Sequence, residues 1–383
     1  MKLVLSAREA AAELGIGLPT LYAYVSRGML RSEPEPGSRR KLYSAADIRA
    51  LKARHADGGT TSRQDTGLAT IESALTLIHE GRLYYRGVEI EALARSARLE
   101  SVASLLWDCG TEDPFAEAQE FQPVLPESLD GPAMARLLIG LAAASDRDLA
   151  AHARSPDALA RTGARILRQA VASAVGVETA GEPVHLALAK GWGRPEAAET
   201  VRAALVVTAD HELAASTYAV RVATSTGASP WRAVSAGLSC LDGPRHGGMA
   251  ERVAHMLDSI ASPEVAEAVM AARLKRGEAI PGFGHPLYPE IDPRARILLA
   301  IAGSDREGRH NAVVAAARRL IGRAPNVDFG LVAASRAARL PAEAPLVLFA
   351  IGRMVGWIAH IIEQSRSERL IRPRTRYIGP LPG

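Results

Sequence analysis

The sequence is poor in aromatic residues, which make up only 4% of its 383 residues, while 48% are hydrophobic. Strands favour aromatic and β-branched side chains, whereas the abundant alanine and leucine favour helices. A chain of this length can bury a large core in two or three domains. The composition therefore predicts a mainly α-helical globular protein.

Cysteines and long uninterrupted apolar runs are also scarce. Cys109 and Cys240 are far apart and have no CxxC spacing, which excludes a disulfide framework and a zinc site of that type and favours the reducing cytoplasm. The N-terminus reaches Arg8 without the apolar core of a secretory signal. The apolar stretch 345–362 is interrupted by Arg353, so we expect a buried helix there rather than a membrane span.

Charge of either sign is balanced over most of the chain. The formal net charge is +4, and the first 60 residues hold ten Lys and Arg against six Asp and Glu, which leaves 36 of each sign elsewhere. Any affinity for polyanions should therefore lie in the N-terminal region.

The N-terminal residues predict short helices joined by a tight turn. Ser6 and Glu9 have the spacing of a capping box, which would open a helix that ends near Gly15. A second helix is predicted over 19–27 and a third over about 45–54. Two short helices around a glycine-containing turn are typical of a helix-turn-helix.

Between the second and third helices, a Pro- and Glu-rich stretch and the cluster Arg39-Arg40-Lys41-Leu42-Tyr43 predict a hairpin wing. This order resembles the winged helix-turn-helix of mercury-resistance-type (MerR-like) regulators over residues 1–56, and the polar residues 57–65 predict a linker. The resemblance implies DNA contacts, to the major groove or to phosphates, from Thr20, Tyr22, Ala23, Ser26, Arg27, Arg39, Arg40 and Lys41. The alternative is a small docking or dimerisation element whose basic wing lies in solvent.

The next part of the chain, 66–205, predicts a strand pair around 68–87 followed by helices. Two long periodic segments, 156–175 and 196–225, are the strongest helix predictions there.

Four short motifs interrupt the alanine-rich segments that follow. They are Ala209 to Thr217 with His211, Gly243 to Gly248 with His246, Pro281 to Pro286 with His285, and Asn326 to Gly330 with Asp328. Each places one histidine or carboxylate in a polar or glycine-rich break. The glycines would let the backbone turn sharply and approach a ligand closely. Together the motifs predict a site. Their loops contain no Gly-Lys-Ser/Thr sequence, so a P-loop is not predicted.

These motifs stand in one order with Leu83-Tyr84-Tyr85-Arg86-Gly87, Ser104 to Asp108, Ile351 to His360 and Ile371 to Tyr377. The ordered set resembles the citrate synthase family over residues 66–383. The resemblance implies a citrate synthase-like fold with a large and a small helical domain, the small one over about 247–345. It also implies an obligate homodimer and the condensation of an acyl-CoA with oxaloacetate.

The resemblance also implies a role for individual residues. Asp328 would be the base that removes a proton from the thioester methyl, His246 would donate a hydrogen bond to the thioester oxygen, and His285 would polarise the ketone. Substrate carboxylates would be bound by Arg294, Arg353 and Arg372, the last reaching across from the other subunit, with His211 as a further contact. His152 and His360 match no such position and are expected to be structural.

The chemistry needs no metal and no permanently bound cofactor, with acyl-CoA as cosubstrate, and the CoA-contacting residues stay unassigned beyond basic residues near 273–276. Three functions remain open. The first is citrate synthase acting on acetyl-CoA, and the second is 2-methylcitrate synthase acting on propionyl-CoA. The third is a DNA-binding regulator whose synthase-like domain senses a metabolite. The motif departs from the family after Asp328, where Phe329-Gly330-Leu331 replaces the common Phe-Tyr-Ser-Gly.

Overall fold

The computed structural model describes residues 4–14, 17–26, 30, 32–34, 41–44, 48, 71–109, 113–116, 118, 121–126, 131–177, 181–303, 308–367, 369–375 and 377–379. The chain divides into two compact units, one formed by residues 1–70 with 373–383 and the other by residues 71–372.

The N-terminal unit combines two short helices with a small antiparallel sheet in the order β1-β3-β2. Its elements are β1 Val4–Ser6, α1 Ala7–Leu14, α2 Leu18–Ser26, β2 Ser32–Pro34 and β3 Lys41–Ser44. The predicted capping box is confirmed, because Ser6 N–H donates to Glu9 Oε2 at 2.8 Å and Glu9 N–H donates to Ser6 Oγ at 3.4 Å. Both ends of the motif thus satisfy backbone donors that the first helical turn leaves unpaired.

A small core of Ala10, Leu21, Leu30, Tyr43 and Ile48 holds this unit together. Of the predicted DNA contacts, Thr20 lies in α2, the Tyr22 side chain is 52% exposed, and Lys41 is exposed at the start of β3. Outside the described residues lie Arg27, Arg39, Arg40, the linker 57–65 and, apart from Ile48, the predicted third helix.

The larger unit begins with a β-meander and continues as helices. The predicted strand pair is present as β4 Thr76–His79 and β5 Arg82–Tyr85, with β6 Val88–Glu89 added at the edge of β5. The helices are α3 Ile90–Ser96, α4 Leu99–Trp107, α5 Ala133–Ser145, α6 Pro156–Val175, α7 Val184–Gly191, α8 Ala198–Thr208, α9 Ala215–Ser225, α10 Pro230–Leu241, α11 Met249–Asp258, α12 Ala266–Lys275, α13 Pro293–Ala302, α14 Arg309–Ile321, α15 Val327–Ala337 and α16 Ala344–Ser365.

Two of the long helices follow their sequence signals closely. In α6 the Ser155 side chain caps the N-terminus, Pro156 occupies the first turn, and Gly176 ends the helix at a φ of 73°. Helix α16 is long and apolar enough to cross a membrane, but 94% of its apolar window is buried inside the unit. It is therefore a core helix, as the presence of Arg353 within it predicts.

The prediction of one periodic segment over 196–225 is wrong. Residues 209–214 separate α8 from α9, and His211 lies in this break. Gly356 of α16 approaches so closely that a Cβ there would lie 2.4 Å from the Ala209 carbonyl oxygen, and Gly356 N–H donates to that oxygen at 2.9 Å. Contact with α16 thus overrides the local helical periodicity.

Buried hydrophobic residues form two cores in this unit. The larger surrounds α16, and the smaller joins helices between residues 250 and 333, with Val253, Met256, Met270 and Phe329 among its members. The breaks that carry the predicted catalytic residues lie along elements of both cores.

Candidate active site

Main-chain pairing places the His285 loop beside the start of α15. Gly284 N–H donates to the Ala324 carbonyl at 2.8 Å, and Asn326 N–H donates to the Gly282 carbonyl at 2.9 Å. Gly282 has a φ of 85°, and a Cβ there would lie 2.7 Å from Val253 Cγ2, so this close approach requires glycine. The pairing brings the sequence motifs of His285 and Asp328 together.

Asp328 occupies the first turn of α15, where the Asn326 side chain caps the helix by accepting from Asp328 N–H at 3.1 Å. Burial of the carboxyl raises the pKa of Asp328 to about 7, although the nearby Arg294 opposes this shift. A carboxyl with this pKa is suited to accept a proton near neutral pH.

His285 is an uncharged imidazole. Burial, and next Arg294, lowers its pKa to about 4. Its Nδ1 accepts a hydrogen bond from Leu287 N–H at 3.2 Å, so the neutral ring carries its proton on Nε2. That nitrogen is therefore available as a hydrogen-bond donor.

His246 lies in the turn between α10 and α11 and is also neutral, because burial and the charge of Arg353 lower its pKa to about 4. Its Nε2 lies 2.7 Å from the Ser216 hydroxyl, and its ring meets Phe349 edge to face at 6.0 Å between centroids. The sequence motif contains Ser216, but sequence spacing gave no signal for this long-range contact.

His211 is buried beside His285, with ring centroids 5.1 Å apart, and its Nε2 lies 2.9 Å from the Tyr288 hydroxyl. Burial together with the positive charge of Arg294 and Arg353 lowers its pKa well below the usual value. Tyr288 was not predicted as a site residue, although it follows His285 by only three positions. Its burial raises the pKa of its hydroxyl, which therefore stays protonated.

Arg294 is buried in the first turn of α13 and makes a two-point ion pair with Asp292. Its Nε and Nη2 donate to the two carboxylate oxygens at 2.9 and 2.7 Å. Asp292 also accepts from Val327 N–H at 3.1 Å, which ties the start of α13 to the start of α15. A substrate carboxylate would therefore have to use other faces of this guanidinium, or displace part of the pair.

Arg353 has a different environment. Its side chain is 1% exposed, its Nε donates to the Thr208 carbonyl at 2.9 Å, and its Nη2 has no hydrogen-bond partner among the described residues. The guanidinium stacks on Phe349 at 5.0 Å from the ring centroid. Burying a cation without a carboxylate partner costs free energy unless an anionic ligand pairs with it.

Four predicted positions lie outside this cluster. Arg372 is exposed after α16, and His152 is exposed near the start of α6. Among the basic residues considered for CoA, Arg273 and Arg276 pair with Glu278 at 3.2 and 2.5 Å.

His360 belongs to a buried polar network behind the His211 loop. Its Nδ1 accepts from Arg221 Nε at 2.9 Å, and its Nε2 lies 3.3 Å from Asp210, which also accepts from the Thr76 hydroxyl at 2.5 Å. Arg221 in turn pairs with Glu363. The network fixes the residue that precedes His211, so His360 has the structural environment expected from the sequence.

No group of three His, Cys, Asp or Glu side chains could hold a metal ion anywhere in the part of the chain that the structure describes. The cluster instead offers one carboxyl base, neutral imidazole donors and buried guanidinium groups. This set suits the removal of a carbon-bound proton next to an anionic substrate.

The model of the citrate synthase C-terminal domain matches residues 65–374. A putative citrate synthase 2 of Mycobacterium tuberculosis is 34% identical over 332 residues, which cover 79% of this chain and 88% of that protein. Citrate synthase 2 of Bacillus subtilis is 29% identical over 364 residues, which cover 84% of this chain and 96% of that protein.

Solved structures agree with these matches. A Thermoplasma acidophilum citrate synthase, in a ternary complex with carboxymethyl coenzyme A and oxaloacetate, aligns with a TM-score of 0.71 at 25% identity, covering 82% of this chain and 95% of that one. The citrate synthase of Thermotoga maritima aligns with a TM-score of 0.68 at 26% identity, covering 84% and 97%. The chain belongs to the citrate synthase family.

Proposed function

We propose that this chain condenses acetyl-CoA with oxaloacetate to give citrate and CoA. Its family makes it an acyltransferase-type enzyme that uses CoA as a cosubstrate and needs no permanently bound cofactor. One observation carries the assignment of residues. A single cluster contains a carboxyl whose pKa is about 7 and two imidazoles whose pKa values are about 4. This combination supplies a base and two neutral donors at the same pH.

The reaction begins at the methyl group of the thioester. Asp328 takes a proton from that carbon, and His246 donates a hydrogen bond to the thioester oxygen as it gains electron density. A neutral imidazole has a proton affinity closer to that of an enolate than an imidazolium has, so it stabilises an enol-like intermediate. Ser216 holds the His246 ring in place at 2.7 Å.

Carbon–carbon bond formation follows at the ketone of oxaloacetate. The enol carbon attacks the ketone carbon while His285 Nε2–H polarises the ketone oxygen and supplies its proton, since Nδ1 already accepts from Leu287. Water then hydrolyses the citryl thioester and releases citrate and CoA. Each well-placed electrophilic contact contributes about 10² to 10³ in rate.

The two carboxylates of oxaloacetate would meet arginine side chains. The unpartnered Nη2 of Arg353 supports binding of one carboxylate, with His211 and Arg294 beside it. The exposed Arg372 supports a homodimer in which this residue completes the site of a second copy of the chain. The second hydrophobic core, between residues 250 and 333, supports a small subdomain over about 247–345.

The direct test is the release of thiol from acetyl-CoA and, separately, from propionyl-CoA in the presence of oxaloacetate. We expect faster release from acetyl-CoA and none from Asp328→Ala. A larger kcat/KM with propionyl-CoA would establish the alternative, 2-methylcitrate synthase. Full activity in Asp328→Ala would refute the assignment of the base.

For the N-terminal unit we propose a winged helix-turn-helix that contacts DNA, in a protein located in the cytoplasm. Three features support this proposal: the capping box at the start of α1, the exposed Tyr22 side chain on α2, and the exposed Lys41 at the start of β3. A gel-shift assay across genomic fragments, with and without oxaloacetate and acetyl-CoA, would test it. The absence of a retarded band would favour a docking or dimerisation element instead.

The regulator and the enzyme are compatible functions. A pure metabolite sensor would not require a carboxyl with a pKa near 7, so Asp328 favours catalysis.

A further inference from the structure

A cavity of about 340 Å³ is lined by residues of α4, of α6 and of the start of α7. Asp113 and Phe115, from the turn that follows α4, also line it. The lining contains none of the predicted catalytic or substrate-binding residues. The volume lies at the lower end of the range of about 300 to 1,000 Å³ that small-molecule sites occupy.

Arg168 of α6 places a cation in the wall of this cavity and is only 8% exposed. Its Nε has no hydrogen-bond partner, and its guanidinium forms no ion pair, within the part of the chain that the structure describes. Burying an unpaired cation costs free energy unless an anionic group pairs with it. A ligand in the cavity could supply that group.

Two further buried groups beside Arg168 lack a hydrogen-bond partner among the described residues. Glu100 of α4 accepts from Val184 N–H with Oε1 at 2.7 Å, but its Oε2 is unpaired, as is Nδ1 of His185 in the first turn of α7. Burial lowers the pKa of Arg168 and of His185, and Glu100 opposes both shifts, so the three groups are close enough to interact. Because buried polar groups are nearly always hydrogen-bonded, this set indicates a polar ligand that both accepts and donates.

Charges of opposite sign balance in the lining, whose charged residues are Arg98, Arg168, Glu100, Asp113 and Glu182. Because Glu182 pairs with Lys190 at 2.9 Å, two arginines remain against two carboxylates. A polyanion would be repelled by the carboxylates, and a polycation by the guanidinium groups. A small zwitterion would be attracted by both.

Phe115 adds a rigid apolar surface to the cavity. Its ring stacks on that of Trp107 with the centroids 5.6 Å apart and an angle of 17° between the planes. Trp107 is fixed in turn, because its Nε1 donates to the Val355 carbonyl at 2.9 Å. An apolar part of the ligand could pack against the Phe115 ring.

We propose that this cavity binds a free α-amino acid with an apolar side chain. The carboxylate of the amino acid pairs with Arg168, its ammonium group donates to Oε2 of Glu100, and its side chain packs against Phe115. Arg168 and Glu100 form no ion pair with each other in the described structure, which leaves both charges to the ligand. The proposal concerns binding alone and does not depend on the reaction proposed above.

The test is isothermal titration calorimetry of the full chain with L-alanine, L-leucine and L-phenylalanine, which differ in the size of the apolar side chain. We expect at least one of them to bind at one site per chain with a Kd of about 1 mM or lower. Acetate and methylammonium each carry only one of the two charges, so each should bind at least about tenfold more weakly. Saturating oxaloacetate should leave amino acid binding unchanged, because its carboxylates compete only for the arginines of the catalytic cluster.

Two variants remove one charge each. Arg168→Met should weaken amino acid binding about tenfold or more and keep the melting temperature, because the lost cation is unpaired. Glu100→Gln should weaken binding similarly, while its amide oxygen still accepts from Val184 N–H. The control is Arg232→Gln, which removes an exposed arginine that pairs with Asp146 at 2.9 Å and should bind as the parent does.

Three outcomes would overturn the proposal. They are no heat with any of the three amino acids, equal binding by Arg168→Met and the parent, and loss of binding in oxaloacetate. The first two would leave ordered water as the partner of the buried groups. The third would place the amino acid in the catalytic cluster.

Discussion

The pKa of Asp328 makes a quantitative prediction about the pH dependence of catalysis. The base must be ionised to remove a proton, and burial raises the pKa of this carboxyl to about 7. The value of kcat/KM should therefore rise with pH through about 7 and then level off. His246 and His285, whose pKa values are about 4, stay neutral across this range and add no further step.

The magnitude follows from the titration of one group. At pH 8 about ten-elevenths of Asp328 would be ionised, and at pH 6 about one-eleventh, so kcat/KM should fall about tenfold between them. An aspartate with an ordinary pKa would give no change over this range. The assay is oxaloacetate-dependent thiol release at low acetyl-CoA concentration, measured at half-unit intervals from pH 5.5 to 9.

The substrate needs a control, because the 3′-phosphate of CoA titrates near pH 6 as other phosphomonoesters do. Acetyl-dephospho-CoA lacks that group, so the step near pH 7 should persist with it. A flat profile from pH 5.5 to 8 with both substrates would refute the assignment of a raised pKa to the catalytic base. A step that disappears with acetyl-dephospho-CoA would assign the titration to the substrate.

Three variants test other parts of the cluster. Tyr288→Phe removes the hydrogen bond to His211, so steady-state kinetics should show kcat/KM for oxaloacetate about three- to tenfold lower, with an unchanged melting temperature as the sign of an intact fold. Arg353→Met should raise the KM for oxaloacetate about 100-fold or more. The melting temperature of the ligand-free protein should change little, because removing an unpaired buried cation stabilises the fold and offsets the lost hydrogen bond to the Thr208 carbonyl. Gly282→Ala places a Cβ on a residue with left-handed backbone, 2.7 Å from a Val253 methyl group. Urea unfolding should therefore show a free energy of unfolding lower by about 2 kcal/mol or more, and an unchanged value would contradict the packing argument.

Local signals in the sequence predicted local structure well. The Ser6 and Glu9 spacing predicted the capping box, and the hydrophobic periodicity of residues 156–175 predicted the bounds of α6. These signals depend on residues that are close in sequence. The sequence did not predict that residues 209–214 interrupt the helix. The cause is the close approach of Gly356, which is distant in sequence.

The same distinction applies to the site. The positions of the three histidines and Asp328 followed from motif order, but their partners did not. Ser216 lies thirty residues from His246 in sequence, and the pairing of Asp292 with Arg294 makes that arginine less available than its motif suggests. The charge state of each group depends on burial, which the sequence does not specify.

The main-chain pairing of residues 282–284 with 324–326 has a consequence for how this enzyme could change its substrate. The relative positions of His285 and Asp328 are held by backbone hydrogen bonds, which involve no side-chain atoms. Asp328 is followed by Phe329-Gly330-Leu331, and Gly330 serves the contact of α15 with α13. Side chains that surround the acyl group can therefore be exchanged during evolution or design while the reacting groups keep their geometry.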